Sequence, residues 1–170
     1  MSGQKLAINI KCALENVTDL HPLGEDFSWI VKVKCQSCHE IHPNWVNIEA
    51  TEQRPMTGSR GEANFVWRCT LCKREHSIDF DSSFKHESAR YTFEDSENQK
   101  YIKMAVLDCR GCEIVEFDPK GVWACKGVES NTPFTDVELS LEEPDGWTDY
   151  DEKAGEPVSV TEFSSTITRA

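Results

Sequence analysis

Cys35-Gln36-Ser37-Cys38, followed after thirty residues by Cys69-Thr70-Leu71-Cys72, decides how this chain is read. Each Cys-x-x-Cys can set two sulfurs on one side of a tight turn. Two such turns face to face offer four thiolates in a tetrahedron, the closed geometry of a structural zinc site. Thirty residues is a long spacing for zinc pairs, but it suits two knuckles at strand ends with an excursion between them. Two other uses of the cysteines fit less well. A redox dithiol belongs beside a βαβ pattern, and none is visible. Disulfides call for a secretory leader, and Met1 to Ile8 has no long apolar run of that kind. The expectation is one Zn²⁺ per chain on Cys35, Cys38, Cys69 and Cys72.

The segments leading into the pairs support this. Phe27 to Lys34 puts Phe27, Trp29, Val31 and Val33 on one face and runs straight into Cys35. Asn64-Phe65-Val66-Trp67-Arg68 does the same for Cys69. Both are rich in β-branched and aromatic residues, as strands are. Metal then holds hairpin ends that a small sheet holds poorly alone. His39 and His42 follow the first pair, but four cysteines already fill a tetrahedral shell. They read as surface groups or as supports behind the ligands.

Further strands are expected at Leu6–Leu14, Trp45–Ala50, Ser77–Phe80, Tyr101–Asp108, Ile114–Phe117, Val122–Cys125, Asp136–Leu141 and Pro157–Phe163. No stretch sustains a 3.6-residue apolar period, so the protein is expected to be mostly β. Asn16–Asp26 and Thr51–Ala63 read as connections, and the polar stretch Ser82–Lys100 as a boundary. That gives a zinc-binding β domain over residues 1–86 and an acidic β domain over residues 87–170. The second reads as a degenerate echo of the first, built on Cys109-Arg110-Gly111-Cys112 and Cys125. Those three thiols read as packed core, with a second metal site or a redox pair as the alternatives. Cys12 reads as a core thiol.

The 170 residues carry a net charge of −12, unevenly spread. Residues 101–170 hold 15 acidic and six basic side chains, whereas residues 1–85 are nearly balanced. Phosphate binding needs a surplus of Lys and Arg, so nucleic acid is not an expected partner. The bases Lys32, Lys34, Lys73 and Arg74 have a simpler use: a zinc tetrathiolate carries −2, and they offset it. Trp147-Thr148-Asp149-Tyr150-Asp151-Glu152-Lys153 reads as an anchored loop with a solvated face, or as a docking patch for a basic partner or a weak cation site. No apolar run reaches the roughly 18 residues of a membrane span. Eight cysteines without a leader imply a reducing compartment, cytoplasm or nucleus.

Several stretches together resemble the eukaryotic CXXC-motif-containing zinc-binding proteins. They are Gly24-Glu25-Asp26-Phe27 with Trp29, Lys34-Cys35 with Cys38, and Gly58 with Arg60-Gly61. Cys69 and Cys72 with Arg74-Glu75 and Ser77, Cys109-Arg110-Gly111, Gly127-Val128-Glu129-Ser130 and Trp147–Lys153 complete the set. The resemblance implies two β-sandwich-like halves packed as a monomer. It also implies one zinc on Cys35, Cys38, Cys69 and Cys72, and no enzymatic activity. Cys112 and Cys125 depart from the family pattern. The function expected is a structural zinc protein acting through a protein partner. The alternatives are a metal-handling protein exchanging Cu(I) or zinc with a partner, and a thiol oxidoreductase using Cys109 or Cys112.

Overall fold

The computed structural model describes residues 3–56 and 61–170, so Gly58 and Arg60 lie outside the described residues. Among the described residues, fourteen strands follow in order: β1 Gly3–Glu15, β2 Val17–Pro22, β3 Trp29–Cys35, β4 Val46–Ile48, β5 Arg54–Pro55, β6 Glu62–Ala63, β7 Phe65–Arg68 and β8 Glu75–Phe80, then β9 Ile102–Arg110, β10 Cys112–Asp118, β11 Gly121–Gly127, β12 Pro133–Leu139, β13 Trp147–Asp151 and β14 Glu156–Arg169. The protein is mostly β, as expected. Three departures are short. Thr51–Ala63 contains the two-residue strands β5 and β6. Asn16–Asp26 contains β2, and the polar stretch after β8 holds a 3-10 turn at His86–Ser88 and a single-turn helix, α1, at Phe93–Glu97. Thr92 caps that helix in a reciprocal box with Asp95, a local signal that a search for long apolar periods passes over.

Apart from the two-stranded pair β5-β6, the strands form one six-stranded sheet, β13-β14-β1-β9-β8-β7, and two three-stranded sheets, β10-β3-β4 and β12-β11-β2. All pairings among them are antiparallel. Trp29, Phe117, Trp123 and Phe163 bring β3, β10, β11 and β14 into one aromatic cluster, with ring centroids 5.4–6.5 Å apart. Trp123 is fully buried, and its indole N–H is satisfied by the Pro119 carbonyl at 2.9 Å.

The register discloses a pseudo-two-fold relation. β9 and β10 are one extended run bent at Gly111 (φ +79°); β1 and β2 are one run bent at Asn16 (φ +56°). Cys112 pairs with Cys35 as Val17 pairs with Gly127. Ser77 pairs with Arg110 as Ser159 pairs with Glu15. Even the bends match: Gln36 N–H donates to the Gly111 carbonyl and Val128 N–H to the Asn16 carbonyl, both at 3.0 Å. One end of the molecule thus comprises β3, β4, β7 and β8 with β9 and β10. The other comprises β11–β14 with β1 and β2.

The boundary expected between residues 86 and 87 falls in the connection from β8 to β9, yet all three larger sheets take strands from both sides of it. The physical reason is register. β1 finds partners on both edges, β9 and β14, and both lie beyond that point.

Candidate metal centre

The first knuckle grows out of β3, whose residues alternate buried and half-buried up to buried Cys35. There the chain turns: Cys35 N–H donates to the Glu40 carbonyl and His39 N–H to the Cys35 carbonyl, each at 2.9 Å. The turn closes on His39 at φ +63°. The second knuckle repeats this at the end of β7. Cys69 N–H donates to the Arg74 carbonyl and Lys73 N–H to the Cys69 carbonyl, each at 2.9 Å, with Lys73 at φ +65°. The left-handed conformation costs a non-glycine residue about 1–2 kcal/mol. It recurs at the same place in both knuckles, at His39 and at Lys73.

The four sulfurs lie within 4.8 Å of one another. The Cys35–Cys72 and Cys38–Cys69 Sγ separations are 3.6 and 3.5 Å, so the knuckles face each other. A disulfide would need about 2.05 Å. Tetrahedral Zn–S bonds of about 2.3 Å place sulfurs roughly 3.8 Å apart. Donor type, number and spacing therefore fit zinc. Arg74 Nη1 donates to Ser37 Oγ at 3.2 Å and ties the second knuckle to the first.

The local field divides the thiols, favouring thiolate at Cys69 and Cys35 and opposing it at Cys38. The Cys69 pKa is lowered to about 7, chiefly by the amide of Cys72 with that of Leu71. Burial opposes ionisation of Cys35, but the amides of Cys38 and Ser37, with the adjoining thiols, outweigh it and hold its pKa below the usual thiol range. At Cys38 the Glu40 amide pulls down, while burial and the neighbouring thiols push up, to about 12. Four thiolates this close repel one another, and a dication is the natural counter-charge.

Neither histidine of the sequence reading is among the four. His39 is exposed at its turn, and the His42 ring packs edge-on to Trp67 at 5.5 Å. Of the four bases, Arg74 lies on the first knuckle, Lys34 pairs with Glu113 at 3.8 Å, and Lys32 sits over the Trp45 ring at 5.5 Å.

His76, which no motif in the sequence singles out, is one of the most buried polar residues at 1% exposure, and its Nε2 is 3.1 Å from Cys35 Sγ. Hairpin register was the available signal. Because Cys69 and Cys72 close the β7–β8 turn, Trp67 pairs with His76 and Phe65 with Ile78, so His76 sits on the inward row.

The remaining cysteines do not assemble a second site. Among the described residues the only cluster of three or more metal-ligating groups is the four-sulfur one. Cys109 and Cys112 are wholly buried on either side of the Gly111 bend. A hydrogen bond that the Cys109 thiol donates to Cys112, and then burial, raise the Cys109 pKa far above the normal thiol range. Cys125 is electrostatically coupled to Cys12 instead; burial lifts both to about 12. By the pseudo-two-fold relation, Cys109 and Cys112 occupy the places of Leu14 and Val17, which are core residues.

The echo expected at Cys109–Cys112 is found elsewhere. Gly127 N–H donates to the Thr132 carbonyl at 2.9 Å and Asn131 N–H to the Gly127 carbonyl at 3.0 Å, with Asn131 at φ +60°. Gly155 N–H donates to the Asp151 carbonyl at 2.7 Å, with Gly155 at φ +70°. These are two more knuckles, with Gly127 and Ser130 in the places of Cys35 and Cys38, and Asp151 and Ala154 in those of Cys69 and Cys72. No sulfur remains. The Ser130 hydroxyl donates to Asp151 Oδ2, and Oδ1 accepts from the Thr132 hydroxyl at 3.2 Å and the Ala154 amide at 3.1 Å. The Trp147–Lys153 stretch, expected as a loop, is strand β13 plus this knuckle. Asp151 is fully buried within it.

Comparison with known proteins agrees with the site. The model of the eukaryotic CXXC motif containing zinc binding protein family matches residues 7–168. Proteins named "CXXC motif containing zinc binding protein" are 46% identical in Homo sapiens over 160 residues, covering 94% of this chain and 95% of that one. In Xenopus laevis the figure is 44% over 165 residues, covering 97% and 98%. The crystal structure of C1orf123 superposes with a TM-score of 0.84 at 40% identity, covering 98% of this chain and 99% of that chain. A hypothetical protein from Plasmodium falciparum shares the fold, with a TM-score of 0.80 at 21% identity and coverage of 97% and 99%. With its two knuckles and four gathered thiols, this chain belongs to the eukaryotic family of CXXC motif containing zinc binding proteins.

Proposed function

We propose that Cys35, Cys38, Cys69 and Cys72 hold one zinc ion as a closed structural centre, and that the protein acts through contacts with another protein. We place it as a monomer in cytoplasm or nucleus. The observation that carries the reading is the four-sulfur cluster itself. Four thiolates fill a tetrahedral shell and leave no position for a water to be activated. The ion then serves to pin β3 and β7 end to end.

The contact role is supported by what surrounds the knuckles. Leu71, between the two thiols of the second knuckle, is 64% exposed, and Ile41, just after the first, is 48% exposed. The acidic surplus beyond residue 100 favours a partner with a basic surface. Exchange of metal through Cys109, Cys112 and Cys125, or thiol chemistry at Cys109 or Cys112, gains no support: all three sulfurs are buried.

Native mass spectrometry should give one zinc per chain. A Leu71→Ser/Ile41→Ser double variant should keep that zinc and its near-UV dichroism while losing cross-links that the wild type forms in cell extracts. A double variant that keeps every cross-link ends the claim for this surface.

A further inference from the structure

His76 lies in β8, four residues past Cys72, and is sealed in place on three sides. Nε2 faces Cys35 Sγ at 3.1 Å. The Trp67 ring covers one flank, with centroids 4.9 Å apart. Behind Nδ1 stands Gly111, where an added Cβ would collide with that nitrogen. Nδ1 is buried and has no hydrogen-bond partner. Gly111 also accepts the amide of Gln36, the residue after Cys35. A continuous contact path therefore runs from the bend of the second Cys-x-x-Cys, through the imidazole, to one sulfur of the first.

We propose that His76 is a positioning residue of the metal centre. Its neutral ring donates Nε2–H to the Cys35 sulfur, and Gly111 is the stop that fixes the ring at that distance. The proposal rests on Cys35 being a zinc ligand. Three observations support it. A metal-bound thiolate only accepts hydrogen bonds, so the atom facing it has to carry hydrogen, which fixes the tautomer. That tautomer leaves Nδ1 as a bare acceptor, a lesser penalty than an orphaned buried N–H. The other end of the molecule supplies a control. There the residue in the place of His76 is Val158, equally buried at 1% exposure, in a knuckle pair without sulfur. The same fold position is apolar where there is no thiolate and carries a donor where there is one.

The donated hydrogen bond draws charge from Cys35 and fixes the direction of its sulfur, so removing the donor should loosen the hold on zinc. Gly111, rather than Cys109 or Cys112, is then the functional residue of the second motif, and its two thiols pack the wall that carries it.

The test uses the full chain loaded with zinc, cobalt or ¹¹³Cd. His76→Gln keeps an N–H at similar reach, whereas His76→Phe keeps the ring shape without a donor. Zinc transfer to a chromogenic chelator should accelerate about 10-fold or more in His76→Phe and stay near wild type in His76→Gln. The sulfur-to-cobalt charge-transfer band should move only in His76→Phe. Gly111→Ala, which displaces the ring, should resemble His76→Phe. Equal rates and bands in the Phe and Gln variants overturn the proposal. Long-range ¹H–¹⁵N spectra of the wild type need no variant: a hydrogen on Nδ1 also overturns it. A ¹¹³Cd shift outside the four-sulfur range condemns the ligand assignment instead, so the two failures are distinguishable.

Discussion

The two ends of this protein hold the same backbone device by different chemistry. At one end, the knuckles at Cys35–Cys38 and Cys69–Cys72 gather four sulfurs. At the other, the knuckles at Gly127–Ser130 and Asp151–Ala154 share the hydrogen-bond pattern and the left-handed closing residues. A buried carboxylate fastens them through Ser130, Thr132 and Ala154. Paired knuckles on short strands need a cross-link, and an ion or a fully satisfied carboxylate can supply it. The two links differ in strength. Structural zinc is worth roughly 10–16 kcal/mol of apparent binding energy in peptides, against about 1.5–3 kcal/mol for a hydrogen bond to a charged group.

The largest effect should therefore come from Cys69→Ser. It should abolish zinc binding in native mass spectra and remove the near-UV signal of Trp67, which lies two residues before that cysteine. Because β8 lies between β7 and β9 in the large sheet, disorder should spread beyond the knuckles. Asp151→Asn should keep the zinc and lower Tm by roughly 3–8 °C. A Cys69→Ser protein that melts like the wild type would erase the contrast.

A graft sharpens it. Gly127→Cys, Ser130→Cys, Asp151→Cys and Ala154→Cys together place four thiols on the metal-free knuckles. The nearest atoms to an added Cβ at position 127 belong to the Asp151 and Ser130 side chains, and the same graft replaces both. If the backbone pattern is what makes a zinc site, native mass spectra should show two zinc ions per chain. A single ion would mean that the knuckle pattern is not sufficient without the supporting residues of the first end, His76 first among them.

This contrast also explains what was legible in the sequence. The metal end announced itself because cysteine is rare and its spacing is its chemistry. Phe27–Lys34 and Asn64–Arg68 were readable because one face of each strand is buried. The other end was obscured for physical reasons. Its knuckles are written in Gly, Ser, Asp and Ala, residues common in any turn. Meanwhile Cys109 and Cys112 drew attention by a spacing that, on an extended chain bent at Gly111, points both side chains into the core. The exchange of strands was hidden as well: nothing local in Leu6–Leu14 says that its neighbours are β9 and β14. His76 was invisible until the β7–β8 register placed it under Cys35.

Acid should separate the two ends in a defined order. The Ser130 hydroxyl, with the Ala154 amide and the Thr132 hydroxyl, holds the Asp151 pKa below its ordinary value. A depressed carboxylate contributes stability that is fully present above the unfolded-state pKa of about 3.9 and lost as pH falls through the folded one. The thiolates compete with protons for zinc and release it at higher pH than that. Hydrogen exchange followed down a pH series should therefore show residues 35–40 and 69–74 losing protection first, together with zinc. Residues 127–132 and 151–155 should hold until pH drops below about 3.9. The reverse order would mean that the carboxylate link is the weaker one in acid. In Asp151→Asn the second step should vanish while the first stays in place, because that variant removes the buried carboxylate whose protonation drives it and leaves every sulfur untouched.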